Sequence, residues 1–540
     1  MTASPTTIPG LSSELVLPSH DDPVVAGVAT AVGGPPGRHS RVGRKGFWTP
    51  VRWIVLLTLV ASLFGWWQKS PCRVHPWADE YQYTRGCYTD VFALYFSERL
   101  SDGKTPYAEH PVEYPVVIGG VMQVAAKAVT VFEPSQRPRH FYDVTWAILT
   151  AFAVVVAVTT ARLAGRRRPW DAAIFAAAPL LVLHGSTNWD LVAMGLTGLG
   201  LLQWARRRPL AAGVLLGLAT ATKLYPVLFL VPLLALCVRA GKLRAYAVTA
   251  AAVVLTPVLL SAPVFLSSPY FADIGGIQTV VAASPLDRLG AEGLSALSPK
   301  VMTAGPDGLP VVGVNAAYRF FALNTTRPAD WDSMWRVVEK RLGRPLDQGL
   351  APGEAPHRLN TLVLLSFALA LAAIVVLILR APRRPRLAQV LFLTVLAFLV
   401  TNKVWSPQFS LWLLPLAALA RPRWRVLLAW QAAEAMVLLT RFYFFVRGAD
   451  PAGQKGIADG FFIAAVAVRD LVLLGIAALV VREIWRPELD VVRRDGVDDP
   501  MGGVLDEAPD RRRLTPEVEH HQLAEVGAAD PQSVHRAVGG

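Results

Sequence analysis

Asp90 lies in the run CYTDVFALYFSERL, a polar loop between two apolar spans in a chain built mostly of such spans. A lone carboxylate held beside a bilayer by aromatic and aliphatic residues is a candidate base for chemistry on a lipid-borne substrate. Four other stretches depart from lipid-facing composition: HPVEYP in the same loop, STNWD at 186–190, ATKLYP at 221–226 and TNKVWSPQF at 401–409. They supply two cations, Lys223 and Lys403, two more acids, Glu113 and Asp190, and the aromatics Tyr114 and Trp405, to which CYTD adds Tyr88. A carboxylate, lysines and aromatics gathered at one membrane mouth suit a phosphorylated lipid. Each residue also has a plainer reading. Asp90 and Asp190 can cap helices, the lysines can reach for the interface, and Pro226 and Pro407 can set helix starts.

The elements that must position these residues are transmembrane. Of 540 residues, 53% are hydrophobic and 17% charged, and apolar runs of about 17 to 25 residues, long enough for a ~30 Å hydrocarbon core, recur from Val51 to Val481. The fold class is therefore an all-α polytopic membrane protein. The net charge of +13 is carried largely by arginines in short connections, at 162–168, 206–208, 239–244, 380–386, 421–425 and from 482 onward. That pattern marks cytoplasmic loops and contact with anionic headgroups, and it gives no sign of a nucleic-acid groove.

Parity sets the topology. The basic segment GRHSRVGRKGFWTPVR places the N-terminus inside, and no cleaved signal peptide is evident, so the first span, about 49–67, reads as an uncleaved anchor. Between it and Arg162 only an odd number of crossings fits, so 140–163 crosses. The run 114–132, with Gly119, Gly120, Gln123 and Lys127, is expected to lie in the outer leaflet without crossing. Further spans at about 170–186, 188–205, 209–222, 223–239, 243–266, 358–380, 386–402, 405–420, 424–446 and 460–483 bring the expected total to about twelve. Residues 1–46 and 486–540 read as disordered cytoplasmic tails flanking a membrane domain at 47–485, whose outer loops are 69–139 and 267–357. All the polar stretches then meet at the extracytoplasmic mouth. Trp331, Met334, Trp335, Val338 and Leu342 have the spacing of an amphipathic helix, either on the membrane surface or packed on the bundle. Glu434, Arg441, Arg469 and Asp470 read as internally paired structural charges. Cys72 and Cys87 flank the Asp90 loop; a disulfide between them and two free thiols are both open, and Cys237 reads as a small buried residue.

The succession CYTDVFALYFSERLSDGKTPY, VEYPVVIGGVMQ, TKLYPVLFLVPLL and TNKVWSPQFSLWLLPL resembles glycosyltransferase family 87, over roughly residues 45–485. The resemblance implies a GT-C-like bundle with non-crossing membrane helices in the first outer loop. It also implies a plasma-membrane hexosyltransferase, mannose favoured, that uses a polyprenyl-phosphate sugar and a cell-envelope glycolipid or glycan acceptor, similar to the phosphatidylinositol-mannoside enzyme. Its acidic base in the first outer loop maps onto Asp90, with the Asp79-Glu80 doublet as rival. Lys223 and Lys403 are then the cations for the donor phosphate, and Glu113, Tyr114, Asp190, Trp405 and Gln408 the sugar or acceptor contacts. No Asp-x-Asp doublet stands at Asp90, no cofactor is expected, and divalent-metal use stays open. The rival class is a polytopic transporter or flippase for a lipid-linked or anionic substrate, which predicts paired halves and mid-bilayer charges.

Overall fold

The computed structural model describes residues 22–33, 47–75, 77–305, 308–351, 353–450, 452, 454–493 and 498–511. Without water to satisfy backbone groups in hydrocarbon, the apolar runs fold as helices, and the chain is mostly helical. Among the described residues, five helices are long and apolar enough to cross a membrane: Pro50–Val74, Arg137–Leu163, Leu243–Ser267, His357–Arg380 and Asp459–Trp485. All five fall on expected crossings. Run 424–446 gives another long helix, Trp424–Ala449, with charged residues along its length, and other runs give shorter ones, among them Pro209–Thr222, Leu387–Thr401 and Ser410–Ala420. At ~1.5 Å per residue a 14-residue helix covers only about 21 Å. Run 170–186 is not one helix: it breaks into a 3-10 turn, Pro169–Ala172, and the short helices Ala173–Ala176 and Pro179–His184.

The breaks matter because of what fills them. Lys223 and Leu224 separate Pro209–Thr222 from the turn Tyr225–Phe229, and residues 402–406 separate Leu387–Thr401 from Pro407–Phe409. A proline just inside each restart cannot donate to the preceding turn, so the chain re-enters at a new angle. Polar side chains thereby reach the interior of the bundle rather than its lipid face.

Run 114–132 contains the helix Val116–Ala128, whose 13 residues extend about 20 Å, short of a ~30 Å core. Gly119 permits its packing: a Cβ there would sit 2.3 Å from the Tyr107 hydroxyl. That hydroxyl donates to the carbonyls of Tyr114 and Pro115 at 2.9 and 3.0 Å, fixing the VEYP segment.

The segment 267–357 departs from the all-α expectation. It carries a four-stranded antiparallel sheet of order β2-β1-β4-β3, with β1 Tyr270–Ile274, β2 Ile277–Ala282, β3 Lys300–Ala304 and β4 Pro310–Asn315. Gly275 and Gly276, both at positive φ, make the two-residue turn between β1 and β2. Strands of five and six residues have no long apolar run to announce them. The amphipathic segment forms the helix Met334–Leu342 and packs on the bundle: Trp335 is buried, and its indole donates to the Thr401 carbonyl at 2.8 Å.

The C-terminal segment also differs from the expected disordered tail. Residues 486–493 and 498–511 cross the helix ends and satisfy what those ends expose. Arg386 binds Asp490 at 2.7 Å and donates to the carbonyls of Leu419 and Ala420, while Asp499 accepts from the Leu387 amide at 2.7 Å. Asp510 pairs with Arg239 and with Arg384. Acidic residues that look like a solvated tail are here the counter-ions of the arginine clusters. Both members of the Arg386–Asp490 pair are buried, so Asp490→Ala leaves a buried guanidinium unpaired and is expected to cost ~3–5 kcal/mol. Thermal unfolding in detergent measures it; an unchanged midpoint contradicts the assignment. Of the expected N-terminal tail, the described part is the helix Pro23–Gly33, before which Asp22 accepts from the Trp424 amide at 2.8 Å. The rest of 1–46, apart from 22–33, and 512–540 lie outside the described residues.

Candidate functional site

A disulfide sets the site's first distance. Cys72, near the end of the first long helix, is bonded to Cys87. Lys69 stands three residues before Cys72, on the same helix face, and Asp90 three residues after Cys87. The bond therefore brings the acid and this lysine to the same end of the bundle.

Thr89 then aims the acid. Its Oγ1 accepts from the Val91 amide at 3.3 Å as the N-cap of Asp90–Ser97 and donates to the Ser186 carbonyl at 2.8 Å. The Asp90 amide donates to the Thr187 carbonyl at 2.9 Å. CYTD is thus docked on the turn formed by STNWD, 97 residues away in sequence.

Asn188 connects the two. Its Oδ1 accepts from the Trp189 amide at 2.7 Å and from Lys223 Nζ at 3.2 Å. With the oxygen so occupied, its NH2 donates to Asp90 Oδ2 at 2.8 Å and to the Tyr114 hydroxyl at 2.6 Å. Gln408 Nε2 also meets Asp90 Oδ2, at 3.3 Å. Two amide donors at one oxygen hold the carboxylate in a single rotation. Tyr88 lies beside the same carboxylate; burial first, and then that charge, raise its phenol's pKa.

Lys223 is buried behind this layer. It lies 3.6 Å from Asp190 Oδ2 and 4.7 Å from the Tyr114 ring centroid, and Trp412 Nε1 donates to Asp190 Oδ1 at 2.8 Å. Lys403 is placed differently. Its ammonium donates to the carbonyls of Thr325 and Arg327 at 3.2 and 2.6 Å and to Asn360 Oδ1 at 2.6 Å. Burial lowers its pKa to about 8. Glu113 pairs with Arg327 at 2.9 Å, joining segment 69–139 to segment 267–357, and burial raises its carboxyl pKa. Trp405 is buried under the Arg469 guanidinium, 3.6 Å from its ring centroid, and donates to Ser410 Oγ.

The open space lies elsewhere. A cavity of about 220 Å³ is lined by Asp90, Gln408, Lys69, Arg441, Tyr83 and Tyr88, among others. Asp90 is its one lining carboxylate among the described residues. Lys69 is fully buried, lines the same cavity as Asp90, and has no hydrogen bond or ion pair among the described residues. Arg441 is paired with Asp332 at 2.7 Å, so Glu434 is left to Ser410, Trp430 and Arg469. The structure thus brings Asp90, Asn188, Tyr114, Lys223, Asp190 and Gln408 into one connected network. Lys223 and Lys403 do not line the Asp90 cavity, and neither does Trp405.

Sequence reasoning missed Lys69, which reads as the flank of a span, and took Asn188 for a cap neighbour. The available signal was a lysine three residues before Cys72, hence on the face of the half-cystine. Asp79 and Glu80, the rival acids, both have positive φ and do not line the cavity. Among the described residues no group of three or more His, Cys, Asp or Glu could hold a metal ion.

Long apolar helices around a buried, acid-bearing polar cavity define a membrane protein with a site inside its bundle. The family model of glycosyltransferase family 87 matches residues 128–285, which is the family the motifs resemble. The matched span includes STNWD and ATKLYP, the segments that orient Asp90, and the match indicates a membrane glycosyltransferase. A search among curated proteins gives no match.

Proposed function

We propose that this protein transfers a hexose, mannose favoured, from a polyprenyl-phosphate carrier to a cell-envelope glycolipid or glycan, with inversion, at the extracytoplasmic face of the plasma membrane. Both termini are cytoplasmic in this reading, as the arginine clusters direct. The observation that carries it is one cavity holding a fixed carboxylate and a buried lysine with no partner among the described residues.

In the transfer, Asp90 takes the proton of an acceptor hydroxyl as that oxygen bonds to the anomeric carbon. The bond from that carbon to the phosphate oxygen breaks, and the electron pair leaves with the polyprenyl phosphate. Lys69 stabilises the growing negative charge. Lys223 acts one layer back: by occupying Asn188 Oδ1 it turns the amide donors toward Asp90 and Tyr114. Lys403, in place of the phosphate role its sequence position suggested, holds the outer segment 325–330 over the cavity, helped by its own carbonyl, which accepts from the Asp330 amide at 2.8 Å. Tyr83, Tyr88, Phe442 and Phe445 give the cavity an aromatic wall suited to the first isoprene units.

The test is transfer by the purified protein in vesicles. Polyprenyl-phosphate mannose, glucose and arabinose serve as donors, and glycolipid and glycan extracts of cells lacking the gene as acceptors. A labelled product of inverted anomeric configuration is expected with mannose or glucose, and transfer of arabinose alone, a pentose, removes the hexose assignment. No product with any of them removes the proposal.

A further inference from the structure

Beside the Asp90 cavity lies a second one of about 400 Å³, within the roughly 300–1,000 Å³ of ligand sites. The two share Trp331, Ser406 and Arg441. Both are lined by charged and apolar groups, and the second, among prolines and aliphatic side chains, carries guanidiniums and carboxylates that include Arg336, Asp330 and Glu339. The second cavity offers several carboxylates, where the Asp90 cavity has Asp90 alone among the described residues. It suits a molecule covered in hydroxyls, which can donate to carboxylates and accept from guanidiniums.

Trp331 stands at the junction and is held there from several sides. Its own segment is fixed by Lys403 and by two arginines on separate helices: Arg441 pairs with Asp332, and Arg469 donates to the Asp332 carbonyl at 2.6 Å. Phe444 and Phe445 pack beside the indole, and the Arg336 guanidinium lies over its ring, 4.8 Å from the centroid. Despite this support the indole remains 39% exposed. A large aromatic so fixed, yet left open between two cavities, is a ready platform for the C–H face of a pyranose.

We propose that this second cavity binds the terminal sugar of the acceptor, stacked on Trp331, with its free hydroxyl directed past Ser406 toward Asp90. The acceptor is therefore a saccharide read from the aqueous side, and a lipid anchor, where present, stays outside the cavity. The assignment rests on the transferase reading above. It concerns the saccharide end alone, which a glycolipid and a free glycan share.

The experiment has two readouts. In the first, saturation-transfer NMR on the protein in nanodiscs uses the methyl glycosides of mannose, glucose, galactose and arabinose as probes. At least one is expected to bind the wild type, with binding abolished in Trp331→Ala and restored in Trp331→Phe. In the second, transfer kinetics with water-soluble glycans and extracted glycolipids are expected to show the acceptor KM of Trp331→Ala rising tenfold or more. The donor KM should change much less. Arg336→Ala, which removes a guanidinium donor from the cavity wall, is expected to shift the acceptor KM in the same direction. Transfer only to glycolipids or only to free glycans identifies the source, provided Trp331→Ala raises that KM. The proposal is overturned if no methyl glycoside binds the wild type, or if Trp331→Ala raises the donor KM as much as the acceptor KM. Glycoside binding that depends on Trp331 in a protein without transfer activity keeps the saccharide site and removes the transferase reading.

Discussion

Asp90→Asn is expected to lower transfer by about 10²- to 10⁴-fold, the usual worth of a positioned acid–base group, while the protein stays folded. The substitution keeps one oxygen for the amides of Asn188 and Gln408, keeps the backbone bond to Thr187, and removes only the capacity to take a proton. The loss should therefore fall on kcat, with the thermal midpoint near that of the wild type. Gln408→Leu should cost less than Asp90→Asn, because one donor of two remains at Oδ2. Turnover of Asp90→Asn at the wild-type rate with purified lipid-linked donor would contradict the assignment of Asp90, whatever the acceptor proves to be.

Lys69→Met should have the next strongest effect, and it separates function from structure by sign. A buried ammonium that makes no hydrogen bond among the described residues is unfavourable to the fold, so an apolar side chain of similar shape is expected to leave the thermal midpoint unchanged or higher. Turnover should nonetheless fall by about 10²- to 10³-fold, as when one donor to a developing oxyanion is removed. A lysine kept for stability gives the opposite pattern, a lower midpoint with intact turnover, and that result would remove Lys69 from the mechanism. The double variant with Asp90→Asn should lose little more than the worse single one, because the two groups act on the same transfer step. Lys403→Ala provides the contrast. It frees the segment at 325–330 that its ammonium holds, so the expected result is a lower midpoint together with weaker acceptor use.

Much of this site is legible in the chain alone. Asp90, Asn188-Trp189-Asp190, Lys223 and Gln408 stand out because each breaks an otherwise apolar pattern, and a polar residue in such a setting needs a partner. Their partners are not legible. Lys223 and Lys403 look alike in sequence, each a lysine just after a threonine-bearing helix end, in TKLYP and TNKVW. One turns an amide toward Asp90 and the other ties down the segment at 325–330. The arginines at 239, 384 and 386 likewise read as markers of a membrane side, and nothing in their spacing says that Asp490 and Asp510 come back to pair with them. The hairpin at Gly275-Gly276 was missed for another reason: short strands lack a long apolar run.

Sequence alone is enough for the class, a helical membrane protein, because apolar length and arginine placement are local quantities that a bilayer reads directly. It is also enough to show which residues are out of place among the spans. Which of them share a cavity is a matter of packing. The link between Cys72 and Cys87, the docking of Thr89 on Ser186 and the seating of the Trp331 segment by Lys403, Arg441 and Arg469 join positions far apart in the chain. Such contacts depend on how helices of unequal length stack, and composition and periodicity carry no record of that stacking.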